Sequence, residues 1–362
     1  MHIAGRTIAA TPDLATRPFV IAELGVNHDG RVDRALDLVR AAARAGADAV
    51  KFQVFEAERL MSRASRLAAY QRAAGESDPV EMLRRLELSF DDLRACVDLA
   101  HTLGLAAIAT VFSLELVPPA HELAWDAFKT ASPDIIHKPL LHALSKTGRP
   151  LIVSTGASTP DEIQRAVQWL TPAHDRLAIL QCVSSYPTPM EHAELDGILA
   201  LRAMFDLPVG YSDHTQGIDA ACEATRRGAC ILEKHFTHDT NAKGPDHAAS
   251  LVEADLARYV ARAREGAKVA ATTPRSPSPG ATKRVIPIEQ DVRTVSRQSI
   301  VAARSIKAGT PIRRVDLTFK RPGTGLPPFV LQSVLGQIAT RDIEGDTLLN
   351  QDDLAQRRAI AS

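Results

Sequence analysis

Aromatic residues are scarce in this chain of 362 residues: phenylalanine, tryptophan and tyrosine together make up 4%. That is too few for a protein that stacks bases on aromatic platforms. Net charge is missing too. Lysine plus arginine and aspartate plus glutamate both total 43, so the formal sum is zero. This excludes a broad basic face for nucleic acid or an anionic membrane, but not a local basic pocket. The four cysteines, at 96, 182, 222 and 230, form no C-x-x-C pair. They fit neither a disulfide framework nor a zinc-finger spacing and read as buried free thiols. No apolar run nears the ~20 residues of a membrane span. The opening MHIAGRTIAATPDL lacks the apolar stretch of a secretory signal, so a cytoplasmic protein is expected.

What is present is alternation. Short apolar runs at Phe19–Leu24, Asp48–Val54, Leu105–Val111, Ala127–Ala131, Pro150–Ser154, Leu177–Cys182, Pro208–Tyr211 and Cys230–Phe236 read as strands. Helical patterns lie between them, including Val32–Ala45, Phe90–Leu103, Pro160–Leu170 and Ile218–Arg227, and Glu253–Ala270 closes the series. In the first helix, Leu36, Val39 and Ala43 are expected on the buried face. Residues 55–88 read as polar and Arg-rich. Continuous apolar strands imply burial on both faces of a parallel sheet. Eight such units in about 250 residues predict an α/β fold, a (β/α)8 TIM barrel. The alternative, an open doubly wound sheet, needs a Gly-rich nucleotide turn; no G-x-G-x-x-G or P-loop occurs.

The pattern stops at TTPRSPSPG (272–280), whose prolines read as a linker. Three regions are expected: a barrel over 1–271, a linker over 272–290 and a small mostly-β domain over 291–362. The small domain carries an internal repeat. VAARSIKAGTPIRRVDL (301–317) resembles IATRDIEGDTLLNQDDL (338–354), with Arg304 matching Arg341 and Ile306 matching Ile343. A fold with pseudo-twofold symmetry follows.

Barrel function sits at the C-terminal strand ends, and these ends are polar. In strand order they carry Glu23; Lys51 and Gln53; Thr110; Lys129, Ser132 and Asp134; Ser154; Ser184; Ser212 and His214; Glu233 and His235. Lysines with several hydroxyls suit a phosphate. His214 and His235, on adjacent strand ends, suit one shared metal ion, with Glu23 as a candidate carboxylate facing them. A single serine here serves equally as a helix cap, and a single histidine as a hydrogen-bonded structural group. His101, His121, His137, His142, His174 and His192 read as surface groups.

The segments IAELGVNHDG (21–30), KFQ (51–53), STGAS (154–158), YPTP (186–189), GYSDHTQG (210–217), EKHFT (233–237) and GPDHAASL (244–251) resemble the sialic acid (N-acetylneuraminate) synthase family. KRPGTG (320–325) resembles its C-terminal antifreeze-like (SAF, β-clip) domain. The likeness runs from about residue 18 to the C-terminus. It implies a TIM barrel plus SAF domain that condenses phosphoenolpyruvate with N-acetylmannosamine, or a close analogue, and water. The implied metal ligands are His214 and His235, holding Mn2+, with Mg2+ or Co2+ as alternatives. The implied phosphoenolpyruvate set is Lys51, Thr110, Lys129, Ser132, Ser154, Ser184 and Ser212. Glu23 matches the acid near the reacting carbons. Gln53, Tyr186, Asp246 and Arg321 match sugar contacts. The family's domain-swapped homodimers imply that Arg321 enters a partner's site.

The resemblance departs at Asp134, where the family usually carries glutamate. Asp134 stays a catalytic candidate with a shorter reach. SPDI (132–135) also resembles relatives that use diacetamido-trideoxyhexoses, so legionaminic or pseudaminic acid synthesis is the alternative. A Schiff-base lyase using Lys51, Lys129 or Lys234, and a non-catalytic sugar-binding protein, are the remaining readings.

Overall fold

The computed structural model describes residues 1–9, 17–272 and 282–356. Eight parallel strands close into a barrel. They are β1 (Phe19–Gly25), β2 (Ala49–Val54), β3 (Ala106–Val111), β4 (Ala127–Thr130), β5 (Leu151–Ser154), β6 (Leu177–Cys182), β7 (Val209–Asp213) and β8 (Ile231–His235). Strand β8 pairs with β1 and completes the ring. The sequence-based strands agree with these to within a few residues. The main difference is β7, which runs on to Asp213 because Ser212 and Asp213 still pair with β8.

Strand side chains alternate between two environments. Val20, Ala22, Val50, Phe52, Ala107 and Ala109 face the helices. Ile21, Ala49, Ile108, Ala127, Ile152, Leu180 and Ile231 fill the interior, together with Ile3 and Ile8 of the N-terminal hairpin that plugs the bottom. Continuing that two-residue step upward turns Glu23, Lys51, Gln53, Thr110, Lys129, Ser154, Ser212, Glu233 and His235 inward. The interior therefore changes from hydrocarbon to polar groups near the C-terminal ends of the strands. A seat for a ligand follows from the alternation alone.

The helices form the outer ring. Helix Val32–Arg44 buries Ala35, Leu38, Val39 and Ala42. Its buried face is offset from the expected one, and Leu36 and Ala43 lie at the edge, partly buried. Residues 55–88 are not a plain polar stretch. They hold short helices at Ala57–Leu60, Ala69–Ala73 and Pro79–Arg84. Their apolar residues build a separate core around Phe55, Leu60, Met82, Leu83 and Leu86. No helix among the described residues is long and apolar enough to cross a membrane.

The small domain pairs β9 (Ser299–Ala302) with β10 (Leu317–Lys320), and β11 (Ile338–Ala339) with β12 (Leu354–Ala355). Its repeat is realised in space. Ile306 and Ile343 bridge each other. Arg304 binds Asp316 at 2.5 Å and Arg341 binds Asp353 at 2.7 Å, at equivalent places in the two halves. Of the expected linker, 273–281 lie outside the described residues. Residues 282–290 pack on the barrel: Lys283 Nζ donates to the Cys182 carbonyl at 2.9 Å, and buried Glu289 accepts from Ala157 N and Ser184 N.

Candidate active site

An open pocket lies at the mouth of the barrel. It is lined by Glu23, Lys51, Gln53, Thr110, Lys129, Ser132, Ser154, Tyr186, Ser212, His214, His235, Asp246 and Arg321. Two expected residues sit behind this lining. Ser184 is buried with its Oγ unpartnered, close to Gly156. Asp134 is buried on the short helix Ser132–Ile136, with Oδ2 unpartnered. Burial pushes its carboxyl up to about 7, against the pull of Arg321 and Lys129.

The interior charges form one cluster. Lys51 Nζ lies 2.5 Å from Glu23 Oε2 and donates to Thr110 Oγ1 at 2.9 Å. Gln53 Nε2 donates to Glu23 Oε1 at 3.0 Å. Glu233 accepts from Ser212 Oγ at 2.8 Å and lies 3.5 Å from Lys129 and 3.9 Å from Lys51. Burial opposes the Lys51 ammonium, but Glu23 and Glu233 outweigh it and hold its pKa above the usual value. Burial also opposes the Glu233 carboxylate, yet Lys129 and Lys51 hold it at about 2. Glu23 moves the other way: burial raises it, Lys51 draws it down, Glu233 raises it again, and the net is upward. Two neighbouring carboxyls are thus driven apart. Glu233 keeps its charge, and Glu23 is the one suited to carrying a proton.

The histidines stand on the neighbouring ends of β7 and β8, with ring centroids 5.6 Å apart. His214 Nδ1 donates to the Val183 carbonyl at 2.7 Å, which leaves the lone pair on Nε2. Buried His235 Nδ1 has no hydrogen-bond partner; the Asp246 carboxylate lies 3.7 Å away. Glu23 is the strand neighbour of His235, but its carboxylate turns to Lys51 and Gln53 instead of the histidines. No cluster of three or more metal-ligating side chains occurs among the described residues. Two imidazoles, one orphaned, fit an ion whose remaining positions belong to water and substrate. Tyr186 packs at a tilt against His214, with ring centroids 4.1 Å apart, and Tyr70 packs likewise against Tyr186 at 4.9 Å.

The small domain closes the mouth. Arg321 N donates to the Leu60 carbonyl at 2.9 Å, and its guanidinium lies over the Phe112 ring at 5.5 Å. In the single chain, Arg321 lines that chain's own pocket. It is seated by contacts between the two domains: Ser62 Oγ to the Arg321 carbonyl at 2.6 Å, and Gln298 Nε2 to the Phe112 carbonyl at 2.7 Å. His137 also differs from expectation. It is buried, caps helix Lys138–Lys146 through Nδ1, and packs edge-on against Phe319 of the small domain. Thr159 is the helix cap in the STGAS region, which leaves Ser154 free for the pocket.

Comparison with known proteins decides the relationship. Residues 38–273 match the NeuB family, and residues 297–355 match the SAF domain. This chain belongs to the NeuB family. It is similar to the N,N'-diacetyllegionaminic acid synthase of Legionella pneumophila, 36% identical over 91% of this chain and 93% of that one. It is also similar to the N-acetylneuraminate-9-phosphate synthase of Mus musculus, 33% identical over 93% of this chain and 92% of that one. Its architecture matches the solved spore coat polysaccharide biosynthesis protein SpsE of Bacillus subtilis, at 31% identity and a TM-score of 0.83 over 99% of each chain. As a NeuB-family enzyme it is a C–C bond-forming transferase.

The sequence places Glu233 among the polar strand ends but gives it no role; two residues before His235, it faces the same way. Other pocket residues escape sequence reading. Tyr70, Gln71, Met82, Leu83 and Leu86 line the pocket from the 55–88 segment, where no periodicity announces them.

Proposed function

We propose that this NeuB-family enzyme condenses phosphoenolpyruvate with N-acetylmannosamine, or a close N-acylated analogue, and water, giving a nonulosonic acid and phosphate. The observation that carries this reading is the gathering of buried Lys51 and Lys129 in one pocket with the hydroxyls of Thr110, Ser132, Ser154 and Ser212, beside a histidine pair. Lysines and hydroxyls hold the phosphate and orient the enol. Gln53, Tyr186, Asp246 and Arg321 orient the sugar so that its aldehyde carbon meets C3 of the enol. A divalent ion held by His214 and His235, Mn2+ in this proposal with Mg2+ or Co2+ as substitutes, supplies Lewis acidity towards the aldehyde oxygen. The C3–C1 bond forms, water adds at C2, and phosphate leaves by C–O cleavage. Glu23, with its raised pKa, handles a proton at that carbon. Asp134 stands behind the sugar side beside Arg321.

Purified protein with Mn2+ is expected to release phosphate from phosphoenolpyruvate only when an N-acylated mannosamine or a diacetamido-trideoxyhexose is added. Excess chelator is expected to stop it. No release with any such sugar overturns the reading. Borohydride with pyruvate is expected to leave the lysines unlabelled; trapped Lys129 would favour the lyase.

Gly156 offers a second check. A Cβ there would stand 2.2 Å from Ser184 Oγ, 2.7 Å from Ser132 Oγ and 2.9 Å from Cys182 Sγ. Gly156→Ala must displace the hydroxyls assigned to the phosphate. Its kcat/KM for phosphoenolpyruvate is expected to fall about 10²-fold, with KM rising. Unchanged KM would remove Ser132 and Ser184 from that role.

The assembly we propose is a homodimer that exchanges small domains, as the family resemblance implies. The contacts seating Arg321 join barrel to small domain, so two copies can make the same set reciprocally. Mixing inactive Lys51→Met and Arg321→Ala chains after partial unfolding is expected to restore activity. No recovery would mean that each chain covers its own barrel.

A further inference from the structure

Asp213 and Lys234 break the logic of the barrel. Both sit at positions facing away from the interior, where most other strand residues are apolar and the buried polar ones, Thr130 and Gln181, carry no charge. Both are fully buried, at 0% exposure. They are register partners across β7 and β8, with Lys234 Nζ 3.2 Å from Asp213 Oδ2. The surroundings complete the pair. Asp213 Oδ1 accepts from Thr215 N at 2.8 Å and from Thr215 Oγ1 at 2.7 Å. Lys234 donates to the Thr215 carbonyl and lies 5.7 Å from the centre of the Tyr259 ring.

Burying two charges is costly, and apolar side chains of similar volume often serve stability as well or better. The pair therefore needs a reason beyond stability. Its position supplies one. Asp213 immediately precedes His214, and Lys234 immediately precedes His235. A slip of one residue between β7 and β8 would exchange inward and outward side chains. The apolar neighbours Tyr211 and Leu232 resist such a slip weakly, because hydrophobic contact is non-directional. An ion pair at matched register resists it strongly. Thr215, held at its N–H, hydroxyl and carbonyl, fixes the backbone on the far side of His214.

We propose that Asp213, Lys234 and Thr215 are positioning residues that hold the His214–His235 pair at the spacing needed for a shared divalent ion. This rests on the proposed function, and the test separates the two. Mn2+ binding is measured without substrates, by the paramagnetic resonance of free Mn2+, alongside thermal unfolding. The Asp213→Leu/Lys234→Met double variant is expected to melt within a few degrees of the parent, while its Mn2+ Kd weakens about 30-fold. Thr215→Val, a smaller change, is expected to fold fully and weaken Mn2+ about 3- to 10-fold. If either folded variant binds Mn2+ as tightly as the parent, the positioning role is overturned. If the double variant does not fold, Thr215→Val decides alone. If the parent binds no Mn2+, the metal assignment itself fails.

Discussion

Replacing Lys51 with methionine is expected to lower kcat/KM at least about 10³-fold, because it removes both a substrate contact and the charge that balances the cluster. In the parent, one ammonium lies between Glu23 at 2.5 Å and Glu233 at 3.9 Å, all buried. Without it, two carboxyls remain near each other, with Lys129 as the remaining ion-pair partner of Glu233 among the described residues. Breaking a buried pair in this way costs about 3–5 kcal/mol of stability. Glu23 should respond by holding its proton more tightly. The Lys51→Met/Glu23→Gln double variant should therefore recover much of the lost stability and none of the activity. Thermal unfolding and initial-rate kinetics on the two proteins check this. Full activity in Lys51→Met would overturn both the charge-balance account and the phosphoenolpyruvate site.

Glu162→Ala is expected to have the second largest effect, and it acts from outside the pocket. Glu162 takes paired hydrogen bonds from Arg293 and from Arg297, all between 2.8 and 3.0 Å. Both arginines belong to the segment leading into the small domain, and both also reach the Ala157 carbonyl. Loss of a buried partner costs about 3–5 kcal/mol, or about 10²–10⁴-fold in the docked population. With the small domain undocked, Arg321 leaves the pocket, and kcat/KM is expected to fall by a similar factor. Hydrogen exchange should rise across 290–326 while the barrel strands stay protected. Equal exchange in variant and parent would sink the clamp.

The same clamp has a pH signature. Burial works against the Glu162 carboxylate, but Arg297 and Arg293 hold it at about 2. An unfolded glutamate titrates near 4.3. The folded pKa is the lower one, so the stabilisation is complete above about pH 4.3 and is lost as pH falls towards about 2. Acid should undock the small domain in that window, and Glu162→Ala should abolish this part of the transition.

Much of the fold was legible because parallel barrel strands are buried on both faces. Their apolar runs stand out against the helices, and turn chemistry marks the breaks. The strand ends were legible for a related reason. Lys51, Lys129, Glu233 and His235 interrupt apolar runs at inward positions, and a polar group there has little purpose except binding or chemistry. The 55–88 segment was not legible. Its helices are short, and its core assembles from Phe55, Leu60, Met82 and Leu86 without a single repeating period. His137 reads as a surface group in the sequence, but Phe319 of the distant small domain packs against its ring.

The sequence by itself determined the barrel, the repeat of the small domain and the residue types at the mouth, since local periodicity encodes all three. Only the tertiary structure decided how those residues divide the work. Strand register put Lys51 between two carboxyls, sent Glu23 away from the histidines and paired Asp213 with Lys234. Domain docking brought Arg321 over a pocket 270 residues earlier in the chain than itself at Lys51. Such choices depend on distances between groups far apart in sequence, and electrostatic energy follows distance in space, not position along the chain. The scarcity of aromatics changes meaning in this light: the few tyrosines at the mouth, Tyr70 and Tyr186, pack against each other and against His214, and hydroxyls and charges share the rest of the lining with Met82, Leu83, Leu86 and Phe112.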